Sequence, residues 1–410
     1  MSRPVGLQIP ERLQRPLRSS AFRSLALGKS ASYLGDWLMV AVLVGWVYES
    51  SASIAQVALL LVIRLAPPIV GGGVAASLVD RLPRLKVLLW SEVACAATIA
   101  GAIVGVTIDS RPLVFALVGV CGLGSMVSTV AANALIPMTV AEEELPAANS
   151  VYAVGQEAAM ALGALTGGVT LALGGPAAGL AANLASYAVA VALYARISVA
   201  DEVRAAANRA RASLLQGLRY VLEQRTLAVV VGGFTVATLA TGLVNATLPK
   251  FTTDLGLGGS GYGLALAAVA TGMIVGESVT GAAAERVDAR WLGIGLAAMG
   301  CLLCAFAWSG TAALALAVLV AFGVANGVAE VVMMTAIHQV ADGAYQGRVF
   351  GVASTIWRTA MLGAVAFAPV VDAIASPSQS ITIAAVLLFA GGVLVHLALR
   401  PRMQASPVAA

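Results

Sequence analysis

Residues 76–89 read ASLVDRLPRLKVLL, which sets Asp80, Arg81, Arg84 and Lys86 close together in a chain that is only 11% charged. Long apolar stretches run on both sides of it. Hydrophobic residues make up 60% of the 410 residues and the mean hydropathy is +0.91, whereas ordinary soluble domains are about 45–50% apolar and about 25% charged. A charged knot between two apolar runs therefore reads as a loop at a membrane surface.

Working outward from that loop, apolar runs long enough to cross ~30 Å of hydrocarbon recur along the whole chain. Twelve spans are expected, at about residues 24–48, 54–79, 86–107, 112–137, 147–172, 177–196, 226–249, 261–284, 290–309, 312–337, 347–371 and 380–399. They are expected to be helical. A chain in lipid must satisfy its own backbone, and these runs lack the alternation of a membrane β-barrel. The basic N-terminal stretch leads into a span too long for a signal peptide, so no cleavable leader is expected.

With both termini placed in the cytoplasm, all of the 24 Lys and Arg except Arg64, Arg111, Lys250 and Arg358 fall on the inner face, Lys29 among them. This bias sets the expected topology. It also accounts for the basic pI without nucleic acid, because a positive inner face meets anionic lipid. Cys95, Cys121, Cys301 and Cys304 all lie in spans and read as small core residues. His338 and His396 sit at inner ends of spans and assemble no metal or catalytic constellation. No cofactor is expected.

The chain divides at residues 197–225, leaving an N-terminal part (1–196) and a C-terminal part (226–410), each with six spans. The second half of this linker, ASLLQGLRYVLEQ, puts Leu214, Leu218, Val221 and Leu222 on one helical face, as in an amphipathic surface helix. The halves echo each other. Asp80-Arg81 follows span 2 and Glu285-Arg286 follows span 8. Aligning Ile136 with Ile337 also aligns Met160 with Met361, and then sets Glu157 against Arg358. Paired halves related along the membrane normal are a transporter design.

These features resemble the major facilitator superfamily, over almost the whole chain, and are most similar to its bacterial drug and siderophore exporter branch. The opening stretch is similar to the signature between spans 2 and 3, G-x-L-a-D-R-x-G-R-K/R. Leu78, Asp80, Arg81 and Arg84 match it. Ala76, Pro83 and Leu85 depart from it, with Lys86 beside the last. GDWLMVAVLVGWVYE, LLQGLRYVLEQRTL and QGRVFGV also look typical of that branch, while LGALTGG in span 5 carries Ala164 where a proline is usual. The resemblance implies an all-α polytopic fold of two six-helix bundles. It implies a cytoplasmic gate in which Asp80 meets Arg348 at the inner end of span 11, with Arg81 and Arg84 beside it. Such a surface pair contributes about 1 kcal/mol, a suitable size for a gate. Arg81, Arg84 and Lys86 can also meet Glu142, Glu143 and Glu144, or lipid phosphate.

Charges inside spans cost roughly 2.5–3.5 kcal/mol each and usually mark a pathway. Asp36, Arg64, Glu157 and Arg358 lie near span centres, with Glu277 and Glu330 in the inner halves of spans 8 and 10. Glu92 lies close enough to the surface to snorkel. In the facilitator arrangement Arg64 would approach Arg358, and Glu157 would approach Glu277 and share a proton with it. The other reading is a static network in which arginines neutralise the carboxylates. Asn133, Asn245, Asn326 and Trp357 are cavity candidates, as well placed for ordinary helix packing as for ligand.

The expected function is a secondary exporter of a hydrophobic or amphipathic small molecule driven by proton antiport. The alternative is an exporter or flippase of a siderophore, peptide or lipid-like metabolite. The expected setting is a monomer in a bacterial inner membrane, meeting substrate, protons and lipids. An enzyme is disfavoured because no loop is long enough to house a catalytic site. A scaffold would gain nothing from buried charge, and no G-x-x-x-x-G-K-S/T occurs for a nucleotide-driven pump.

Overall fold

The computed structural model describes residues 14–71, 75, 78–79, 81–198, 210–282 and 288–400. Asp80, Glu285 and Arg286 lie outside the described residues. Its elements are helices: α1 Ser20–Ser51, α2 Ile54–Val70, α3 Arg84–Thr107, α4 Arg111–Thr139, α5 Leu145–Tyr194, α6 Ala210–Glu223, α7 Arg225–Asp254, α8 Ser260–Ala282, α9 Arg290–Ala307, α10 Ala312–Val340, α11 Gly343–Asp372 and α12 Pro377–Ala398. Among the described residues, ten helical stretches are long and apolar enough to cross a membrane, and Ile54–Pro67 is a shorter apolar one. Their outer surfaces suit lipid rather than water. Leu173 and Ile374 are each 84% exposed, with many other aliphatics bare.

Helix ends follow local chemistry. Ser19, Ser53 and Thr311 accept backbone N–H groups at the starts of α1, α2 and α10, and Ser376 with Gln379 forms a capping box on α12. Helix α5 is 50 residues long, or about 75 Å if straight, which is more than twice the membrane. It does not run straight. Gly175 has φ 71° and ψ −176°, outside helical space and permitted to glycine, and Pro176 follows it.

Packing on α1 gives the direction of each arm of α5. In the first arm, Gly155, Gly163 and Gly167 meet Ser30, Leu34 and Leu38 in rising order. In the second arm, Gly179, Asn183 and Tyr194 meet Val42, Gly35 and Gly28 in falling order. The chain therefore turns back at Gly175, as expected between spans 5 and 6.

The chain forms two compact units. The first comprises residues 1–208 and 249–270. In it, α3 and α4 pack antiparallel through Gly101 on Leu117 and Gly105 on Val114, and α2 lies along α4 with Gly122 against Pro67. The start of α8 also belongs to this unit. A Cβ at Gly263 would stand 2.6 Å from the Ala164 carbonyl oxygen and 2.8 Å from Gly168 Cα. The Gly259 N–H donates to Glu49 Oε1 at 2.6 Å.

The second unit comprises residues 209–248 and 271–410. Gly293, Gly300 and Gly392 bring the backbones of α9 and α12 into contact, and Gly276 and Gly327 do the same for α8 and α10. The linker helix α6 rests on α11 in this unit. Tyr220 stacks on Tyr345 with ring centroids 4.4 Å apart and planes 6° apart, and a Cβ at Gly217 would sit 2.8 Å from the Arg348 carbonyl oxygen. Val221 is buried in this contact, but Leu222 is 66% exposed. Of the expected apolar face, Val221 is turned to this contact and Leu222 is left facing outward. Gly217 and Tyr220 set the rotation of the helix, because only glycine allows the backbone approach and the ring stack fixes the angle.

Candidate functional site

The interior of the first unit carries a row of buried polar groups. On α1, Lys29, Ser32 and Asp36 are spaced three and four residues apart, so they share one face. On α4, Ser125 and Ser128 face them. Glu92 comes from α3, Arg64 from α2 and Tyr187 from the second arm of α5. All but Arg64 are buried.

Asp36 is the centre of the first cluster. Arg64 Nη2 donates to Asp36 Oδ2 at 2.8 Å, and Ser125 Oγ donates to the same oxygen at 2.5 Å. Tyr187 Oη donates to Asp36 Oδ1 at 2.6 Å. Cys121 Sγ stands 3.4 Å from Tyr187 Oη, and Cys95 Sγ donates to the Cys121 carbonyl at 3.5 Å. The carboxylate is thus held by one cation and two hydroxyls from three other helices. The Asp36 side chain is 4% exposed and that of Arg64 is 16% exposed, so the pair touches open space only on its arginine side. Arg64 Nε is buried and has no hydrogen-bond partner.

Glu92 centres the second cluster. Ser128 Oγ donates to Glu92 Oε1 at 2.5 Å, and Ser32 Oγ donates to Oε2 at 2.9 Å. Lys29 Nζ lies 3.7 Å from Glu92 Oε1 and donates to Ser128 Oγ at 2.9 Å. Both charged side chains are 1% exposed. This corrects two expectations. Lys29 does not join the basic inner face, and Glu92 does not snorkel, because each neutralises the other inside the bundle. Ser32 and Asp36 are one helical turn apart, as are Ser125 and Ser128. The two clusters are therefore stacked along the bundle axis as two adjacent neutral pairs.

The remaining candidates fall as follows. Glu157 is partly buried in the first unit; Asn133 on α4 is exposed. Arg81 is exposed, while Arg84 turns inward to the Ala134 carbonyl at 3.3 Å and Met138 Sδ at 3.2 Å. In the second unit, Glu277 and Glu330 are partly buried and Arg358 is exposed. Arg348 lies over the Tyr345 ring at 5.0 Å. Asn245 donates to the Thr241 carbonyl at 3.0 Å, and Asn326 Nδ2 donates to Met273 Sδ at 3.3 Å. Trp357 Nε1 donates to the Val231 carbonyl at 3.2 Å, with its ring edge-on to Phe234. The Asn245 bond lies within α7, and those of Asn326 and Trp357 join neighbouring helices. Cys95 and Cys121 are core residues as expected, but Cys301 and Cys304 are exposed, on a helix face that does not pack within the unit.

The sequence reading did not identify Ser125, Ser128 or Tyr187 as site residues. A signal for the serines was present. They sit three apart on an apolar helix, the spacing that lines one face, and α1 carries a matching polar row.

The family model of the Major Facilitator Superfamily matches residues 25–357 and 230–409. The chain belongs to the major facilitator superfamily. It is thus a multi-pass membrane protein of a transporter family, and that membership points to transport rather than catalysis. Solved structures of similar fold include an auto-inhibited POT family peptide transporter, at 14% identity, TM-score 0.68, and coverage of 95% of this chain and 98% of that one. The nucleoside transporter NupG aligns at 12% identity with TM-score 0.71, over 93% of this chain and 100% of its own. A bacterial homolog of the human lysosomal transporter Spinster, inward-facing and unoccupied, aligns at 14% identity with TM-score 0.71, over 94% and 97%. No curated protein matches the sequence. At these identities the structural likeness speaks for the facilitator fold alone.

Proposed function

We propose that this facilitator is a proton-driven exporter of a hydrophobic or amphipathic small molecule, working by alternating access. It has twelve spans in two six-helix bundles, with both termini on the cytoplasmic side of a bacterial inner membrane. The observation that carries the reading is the Asp36–Arg64 pair at 2.8 Å inside the first unit. Protonating Asp36 removes the charge that holds the Arg64 guanidinium. Ser125 and Tyr187 would still hydrogen-bond to the neutral acid. The freed cation then repels a proton or a cationic substrate, and deprotonation restores the pair. One titrating group thus changes a local charge by a full unit without unfolding its surroundings, as an antiporter requires. Glu157, Glu277, Glu330 and Arg358 are the further candidates for the path, and Asp80 with Arg81, Arg84 and Arg348 for the cytoplasmic gate.

The test is accumulation of a fluorescent amphipathic cation in pump-deficient bacteria expressing wild type or Asp36→Asn at matched levels. The expected result is lower dye in wild-type cells, with the difference abolished by an uncoupler and by the substitution. A wild-type protein that lowers the dye regardless of uncoupler would end the proton-driven reading.

A further inference from the structure

Lys86 is exposed at the start of α3 and has no ion-pair partner among the described residues. It differs in this from Arg84, whose guanidinium is occupied by α4. Lys86 lines a groove of 530 Å³ on the surface of the first unit. The groove runs between α3 and α4. Its walls include Leu82, Trp90, Ala94, Val120 and Leu123, and its floor is lowered by Ser91 and Gly124.

The cause is local packing. Gly124 approaches Cys95 so closely that a Cβ there would stand 2.6 Å from the sulfur. The two helices meet on small residues, and the large side chains are left standing at the edges. Trp90 is 71% exposed, and Leu82, Val120 and Leu123 are each about half exposed.

We propose that this groove seats one acyl chain of an anionic glycerophospholipid, with the headgroup phosphate on Lys86. Three observations fit that occupant together. Among the described residues the walls are apolar apart from Lys86 and Ser91, as a hydrocarbon chain needs. From Lys86 to Ala94 the groove follows α3 for about 12 Å, close to the ~15 Å depth of one leaflet. Among the described residues its one charged lining residue is the Lys86 cation at the start of α3, with the exposed Arg81 five residues before it, and Trp90 lies one turn deeper, where an indole faces both headgroup and chain.

The test uses the full chain in nanodiscs containing lipids with brominated acyl chains, which quench nearby tryptophans. The Trp90 signal is the difference between wild type and Trp90→Phe. Brominated phosphatidylglycerol is expected to reach half-quenching at a several-fold lower mole fraction than brominated phosphatidylcholine. Lys86→Ala should abolish that preference, Lys86→Arg should keep it, and Lys250→Ala, placed elsewhere, should leave it unchanged. Equal quenching by the two lipids, or a preference that survives Lys86→Ala in a protein of unchanged thermal stability, would overturn the proposal. So would efficient cross-linking of Trp90→Cys between two protein molecules, which would assign the groove to a second copy.

Discussion

Lys29 Nζ and Glu92 Oε1 stand 3.7 Å apart, and each side chain is 1% exposed. Two full charges are held out of solvent on helices that a membrane would otherwise fill with aliphatic residues. The arrangement is tolerable because the Ser32 and Ser128 hydroxyls both donate to the Glu92 carboxylate alongside the Coulomb attraction. Removing one partner leaves the other uncompensated. Glu92→Gln is therefore expected to destabilise the protein by about 3–5 kcal/mol. The double change Lys29→Met with Glu92→Met should recover most of that loss, since two apolar side chains need no mutual neutralisation. Thermal unfolding in one detergent, compared across the three proteins, checks this. A single variant as stable as wild type would remove the pair's structural role.

Asp36 and Arg64 form the looser of the two pairs, and its arginine side meets open space. Asp36→Asn keeps the shape, although one of the Ser125 and Tyr187 hydroxyls must turn to accept from the new amide NH2, and it leaves Arg64 without a counter-charge in every state. The expected outcome is a folded protein that has lost uphill dye transport by tenfold or more and still exchanges dye downhill in proteoliposomes. Tyr187→Phe should act differently. It withdraws one donor from a buried carboxylate at a cost of about 1–3 kcal/mol. Stability should fall, with proton dependence retained. Measuring uphill transport and thermal unfolding on the same preparations separates the two effects.

The helices were legible in the sequence because long apolar runs admit one structure in lipid. The reversal at Gly175 was legible too, since glycine and proline fall between two spans of full length. The charges left two readings open, and one of them, an arginine neutralising a carboxylate, is what Arg64 does with Asp36 inside the first unit. Asp36 lies 16 residues before the turn at Ala52 and Arg64 lies 12 after it, so the two reach similar depth on adjacent antiparallel helices. Lys29 was harder. Counting charges by face treats every lysine near a span end as solvated, and only the side-chain direction on α1 shows that this one points inward.

Glycines in this chain divide into those that hold helices together and those that do not. A Cβ at Gly167 would stand 2.6 Å from the Leu38 carbonyl oxygen and 2.8 Å from Ala41 Cβ. Neither neighbour yields without moving α1. Gly167→Ala is expected to destabilise by about 1–3 kcal/mol, the usual cost of overpacking. In mid-helix α7, by contrast, Gly232 has no atom within 4 Å of its missing Cβ. Gly232→Ala should leave stability unchanged or raise it by about 0.5–1 kcal/mol through helix propensity. Detergent unfolding of the two variants side by side gives opposite signs if the packing argument holds.

The linker helix offers a separable contact. Tyr220 stacks on Tyr345, its hydroxyl donates to Asp342 Oδ2 at 3.1 Å, and the Asp342 N–H donates back to that hydroxyl at 3.1 Å. Arg348 covers the Tyr345 ring at 5.0 Å. An aromatic pair contributes about 0.5–1.5 kcal/mol beyond the area it buries, and an exposed cation over a ring adds about 0.5–1. Helix α6 has 14 residues, a length marginal for an isolated helix in water. Tyr220→Ala should therefore release it locally while the membrane helices keep their stability. Tyr220→Phe keeps the stack and loses only the hydroxyl bonds, so it should fall between. Trypsin cleavage at Arg219, now paired with Glu223 on the exposed side of the helix, reports the opening directly. Cleavage should be fastest in Tyr220→Ala and intermediate in Tyr220→Phe. Equal rates in all three proteins would mean that Gly217 and Val221, rather than the ring stack, hold α6 against α11.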